Sequence, residues 1–147
     1  MRSYLVVMDE SPEAQAALRY AASRAARTGG RVEIVTVIEP IEFVQWGGVQ
    51  AAMEEEARLR AEAMVLGASG ALAEQAGVKP TVTVRQGDPV REVTELLRQR
   101  PDVAALVLGT PAEGGPGPLV SHFAGPVAGT LPCPLILVPG GLRDRAD

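Results

Sequence analysis

Five short apolar runs alternate with longer segments of helical period, and few folds accept that order. The runs are Tyr4 to Met8, Val32 to Ile38, Thr81 to Arg85, Val103 to Leu108 and Leu135 to Val138. Parallel strands need crossover connections of a dozen or more residues, and these intervals are long enough to hold them. The pattern predicts an α/β domain: a doubly wound, mostly parallel sheet with helices on both faces. Val103 to Leu108 is apolar throughout, as in a strand covered on both sides, whereas Thr81 to Arg85 alternates like an edge strand.

The helix signals fall between the runs. Ser11 is placed to cap a helix that opens at Pro12 and turns Ala14, Ala17, Leu18, Ala21, Ala22 and Ala25 inward, with Gly29-Gly30 as its stop. Residues 41 to 50, including Trp46, read as a loop, and 51 to about 76 as a long helix with Met53, Leu59, Ala63 and Leu66 inward. Gly67 and Gly70 weaken its continuity. Asp88-Pro89 repeats the cap-and-open chemistry for a third helix, facing Val90, Val93 and Leu97 inward. Residues 109 to 118 are too rich in Gly and Pro for regular structure and read as a functional loop. A poor helix from about Leu119 to Thr130 follows, kinked or delayed by Pro126. Residues 1–140 form one domain and 141–147 a polar tail.

Composition narrows the function classes. Fourteen Lys and Arg stand against 18 Asp and Glu, with no basic stripe, so neither nucleic acid nor an anionic membrane is the expected partner. No stretch reaches the roughly 20 apolar residues that span a bilayer, and the first apolar run is too short for a signal peptide. The lone Cys133 forms no internal disulfide, so a cytoplasmic location is expected. Flanked by prolines with no basic neighbour, Cys133 reads as a packed hydrophobe. Glu54-Glu55-Glu56 fan over a helix and cannot converge on one cation. The only histidine, His122, sits in no Ser/His/Asp motif and reads as a solvated or capping side chain rather than a base. Asp9 is either a ligand of the crevice at the strand ends or a capping neighbour of the first helix.

Several local patterns, in order and at fitting separations, resemble the universal stress protein family over nearly the whole chain. They are Val6-Val7-Met8-Asp9-Glu10-Ser11, Gly87-Asp88-Pro89, Leu106-Val107-Leu108-Gly109-Thr110 and Pro132-Cys133-Pro134 leading the last strand. The resemblance implies a five-stranded parallel sheet of order 3-2-1-4-5 and a nucleotide crevice where strand order reverses. In ATP-binding members an acid at the first strand's end holds ribose and backbone of the second meets adenine, roles that map onto Asp9 and the neighbourhood of Val37. The phosphate pattern maps onto Gly109-Thr110, Ala112 and Ser121-His122, with Ala112 and Ser121 standing where glycine is expected. The resemblance therefore implies a non-enzymatic stress-response binding protein with a degraded nucleotide pocket. Its rivals are an ATP-binding member with slow hydrolysis, holding Mg with the triphosphate, and a pocket retuned to AMP or another small metabolite. It also implies a homodimer through Leu135 to Val138, an apolar edge that would otherwise invite aggregation. A flavin-binding or electron-transfer domain of similar topology is a more distant alternative.

Overall fold

A computed structural model describes residues 2–40 and 47–142. The predicted loop around Trp46 and the end of the tail lie outside the described residues. The first strand, β1 (Ser3–Val7), runs into the helix α1 (Pro12–Thr28), which returns the chain to β2 (Arg31–Ile38). Helix α2 (Gly47–Ala76) leads to β3 (Thr81–Gln86), and α3 (Pro89–Gln99) to β4 (Val103–Thr110). The short α4 (Gly117–Phe123) and a single 3₁₀ turn at Ala128–Thr130 precede β5 (Leu135–Pro139). The sheet has the order β3-β2-β1-β4-β5, all pairs parallel, with Val6 opposite Ile34 on one side and Val107 on the other.

Local chemistry fixes the helix ends. Ser11 Oγ accepts from the Ala14 N–H at 3.2 Å, and the chain leaves α1 through Gly29 at φ 72°, whose N–H returns to the Ala25 carbonyl. Asp88 repeats the cap on α3, accepting from the Arg91 N–H at 3.0 Å. The two faces of the sheet then bury separate apolar sets. Val6, Ile34 and Val107 face the alanines of α1 together with Val65 and Leu72 of α2. Leu5, Val35 and Leu106 face Val93, Leu96 and Leu97 of α3, with Val120 and Phe123 of α4. Burial of this kind is the main favourable term in the fold.

Four expectations from sequence are corrected. Helix α2 begins at Gly47 and passes through Gly67 and Gly70 without a break, so residues 47–50 are helical. Its inward face is Ala57, Ala61, Met64, Val65, Ala68 and Leu72, whereas Met53, Leu59, Ala63 and Leu66 are exposed. Apolar residues occur on both sides of this helix, and the side carrying Val65 and Leu72 is the one packed with Val32 and Ile34 of β2. Strand β4 extends two residues further than expected, taking Gly109 and Thr110 into the sheet, and the Gly/Pro-rich loop starts only after them. The last helix starts at Gly117 and stops at Phe123, because Pro126 cannot supply a helical N–H and the chain turns before it.

Candidate functional site

The carboxyl ends of β1, β2 and β4 open onto a crevice of about 400 Å³. Its wall on the sheet side is apolar, formed by Val7, Met8, Val37 and Leu108. A volume in this range with an apolar wall and a few polar groups is the usual form of a small-molecule site. Helix starts close the other sides: Ser11, Glu13 and Ala14 from α1, Pro89 from α3, and Gly117 to Val120 from α4.

Of the residues assigned to a site from sequence, Asp9, Val37 and Gly109 line this crevice together. Thr110, Ala112, Ser121 and His122 do not. Thr110 is occupied with the chain's exit, its carbonyl accepting from Gly140 N–H at 2.7 Å. Ala112 and Ser121 are exposed outside the crevice, and His122 lines a different cavity between α3 and α4. The helical turn of α4 carries Ser121 and His122 past the crevice, which meets only the first residues of that helix.

Asp9 has a local partner. Its Oδ1 accepts from the backbone N–H of Ser11 at 2.8 Å and also from the Ser11 hydroxyl. Ser11 in turn caps α1, while the Gln15 N–H is taken by the Ser11 carbonyl at 3.3 Å. The amino end of α1, the donor array an anion would use, is thus partly satisfied by the protein itself. Gly109 is explained the same way. A Cβ there would lie 2.1 Å from the Glu13 carbonyl oxygen, so glycine lets α1 lie directly on β4. In the loop, Gly114, Gly115 and Gly117 take positive φ with open space around them, but only Gly117 lines the crevice, between Pro116 and Pro118.

Sequence reasoning missed the charge of the site. Glu13 and Glu39 join Asp9 among the lining residues, which include no Lys, Arg or His. Both could have been found from the topology, because residues just after a parallel strand or in the first turn of the next helix converge on one end of the sheet. Among the described residues no hydrogen bond or ion pair engages either carboxylate, and no group of His, Cys, Asp and Glu could hold a metal ion. Cys133 is distant from this chemistry. Burial pushes its thiol above the ordinary range, opposed by a weaker backbone hydrogen bond from Leu106, which disfavours the reactive thiolate.

The model of the universal stress protein family matches residues 1–139. The chain belongs to that family. Universal stress protein UspA from Lactobacillus plantarum superimposes with a TM-score of 0.78 at 20% identity, over 93% of this chain and 97% of that one. A family member from Arabidopsis thaliana solved with AMP bound gives 0.61 at 12% identity, covering 95% and 92%. A universal stress protein in complex with cAMP gives 0.59 at 19%, covering 93% and 96%. No curated protein matches the sequence significantly. This universal stress protein shares the strand order 3-2-1-4-5 that its sequence implied, and no helix among its described residues is long and apolar enough to cross a membrane.

Proposed function

We propose that this universal stress protein is a non-enzymatic, cytoplasmic binding protein whose crevice no longer holds a nucleoside triphosphate. One observation carries the reading: three carboxylates and no cationic side chain line the crevice. A triphosphate needs opposite charge or a row of free N–H donors. Here Pro111, Pro116 and Pro118 remove donors from the lining, and Ser11 and Asp9 occupy the start of α1. Each carboxylate about 4 Å from a phosphate oxygen would oppose binding by about 1 kcal/mol in water and about 4 kcal/mol near a protein surface.

A second reading is favoured by the relatives with AMP and cAMP bound. The apolar wall of Val7, Met8, Val37 and Leu108 suits a flat base, and a ligand with one phosphate meets less repulsion than one with three. The two readings separate in a thermal scan with millimolar MgATP, AMP or adenosine. Ligand at about 100 times its dissociation constant adds roughly 2.7 kcal/mol, and each kcal/mol raises the midpoint by roughly 2 to 4 °C in a domain of this size. MgATP is expected to shift the midpoint by less than about 2 °C. A MgATP shift above about 6 °C that Asp9→Ala abolishes would reject the proposal. A shift with AMP alone would select the second reading.

The homodimer is part of the same proposal. Strand β5 is an edge strand, and Leu137 stands exposed on it at 41%. Pairing of two β5 edges across a two-fold axis would satisfy their open backbone groups.

A further inference from the structure

A second cavity, of about 390 Å³, lies between α3 and the segment from α4 to β5. It is separate from the crevice: Pro89 touches the crevice at one end of α3, and Arg98 lines the second cavity about 13 Å along the same helix axis. Its base is the buried pair Leu97 and Phe123, with Leu131 beside them. Arg98 supplies its charge and His122 a ring N–H, and no carboxylate lines it. That is the reverse of the crevice.

The polar groups around this cavity are sorted. The Thr94 hydroxyl donates to the Val90 carbonyl at 2.7 Å and Thr130 to that of Val127 at 2.9 Å, so neither hydroxyl proton is free. The nearest acids along the chain are engaged elsewhere. Glu95 accepts from the Gln99 side chain at 3.3 Å, and Asp102 from Ser3 at 3.1 Å and Arg100 at 3.3 Å. His122 stands edge-on to Phe123, ring centres 5.0 Å apart. Among the described residues no hydrogen bond or ion pair holds the guanidinium of Arg98 or the imidazole of His122. Two unengaged donors, the exposed Arg98 and the half-buried His122, thus border a largely apolar cavity of small-molecule size.

We propose that this cavity is a second binding site, for a small amphipathic carboxylate whose apolar body lies on Leu97, Phe123 and Leu131 and whose head is held by Arg98 and His122. Arg98 suits the head because its planar fork matches a carboxylate. The site does not depend on what the crevice binds.

Octanoate is the probe, followed by NMR chemical shifts of the full chain, with octanol as the uncharged control. Saturable shifts at His122, Phe123 and Leu131 are expected with octanoate. Octanol should need about ten times the concentration, the least expected for one lost charge-assisted hydrogen bond. Arg98→Ala should weaken octanoate by about tenfold and leave octanol unchanged, while Arg98→Lys, which keeps the charge, retains most of the affinity. Four results would overturn the proposal: octanol binding as tightly as octanoate, no saturable shift at these residues, shifts confined to Val7 and Leu119 of the crevice, or shifts that follow protein dilution instead of ligand. The last would mean that a second copy of the chain covers this face.

Discussion

Gly109→Ala tests whether this glycine serves helix packing. The new Cβ would lie 2.1 Å from the Glu13 carbonyl oxygen, 2.4 Å from its carbon and 3.0 Å from the Ala14 nitrogen. All three are backbone atoms, so no rotamer change relieves them. The first turn of α1 must retreat from β4 by about 1 Å, and the seven buried residues of that helix lose contact with the sheet. Overpacking of this kind costs about 3 kcal/mol at the upper end of its usual range. Alanine recovers about 0.5 to 1 kcal/mol by restricting the unfolded chain. A net loss of about 2 kcal/mol predicts a midpoint lower by roughly 4 to 8 °C, read by thermal circular dichroism. Gly129→Ala is the control, since a Cβ there meets nothing within 4 Å, and its midpoint should stay within about 2 °C of the parent. If Gly109→Ala also stays within about 2 °C, the close approach of α1 to β4 does not require glycine and the packing account fails.

Three further outcomes are expected. Ser11→Ala removes the cap of α1 and frees Asp9, and denaturant titration should show a loss of about 1 kcal/mol. Asp102 is held below the usual carboxylate range, first by the hydrogen bond from Arg100 and then by that from Ser3. A depressed folded value means its stabilisation is present above about pH 4 and is lost as pH falls through that value. Asp102→Asn should therefore cost up to about 1 kcal/mol at pH 7, discounted for a side chain about a third exposed, and the gap should close in acid; a gap constant from pH 7 to pH 3 contradicts the assignment. Leu137→Glu on the open edge of β5 should leave a monomer by light scattering, and a parent chain already monomeric at tens of micromolar contradicts the proposed dimer.

The sheet was legible because its signals are redundant. Four strands are runs rich in Val, Leu and Ile and the third alternates Thr with Val, and Ser11-Pro12 and Asp88-Pro89 mark two helix starts by side-chain chemistry alone. The inward face of α2 was not legible, because apolar residues occur on both of its sides. Which side faces the sheet is set by tertiary packing, which buries Val65 and Leu72 and leaves Leu59 and Leu66 exposed. Glu33 shows a similar limit. It is a buried acid in the middle of an apolar strand, and its partner Arg100 is 67 positions away at the end of α3. At the crevice, Asp9, Val37 and Gly109 followed from the family resemblance, while the positions of Ser121 and His122 depended on where α4 begins, and a proline-rich loop does not announce that.

The two ends of the sheet treat acidic residues differently, and the difference separates fold from function. At the amino end, Glu33 and Asp102 share Arg100, with Arg31 3.7 Å from Asp102 and the Thr81 hydroxyl on Glu33 at 3.4 Å. One atom is left over, the Oε2 of Glu33, buried without a hydrogen-bond partner at a cost of about 1 to 3 kcal/mol. The network ties the end of α3 to β2 and to the start of β4. At the carboxyl end the reverse holds. Among the described residues Glu13 and Glu39 have neither hydrogen bond nor ion pair, and both edge a crevice with an apolar wall. Glu13, in the first turn of α1, also complements that helix's dipole, and both carboxylates stand where a ligand would sit. Under the proposed function they repel polyanions and leave the apolar wall to neutral or weakly charged molecules.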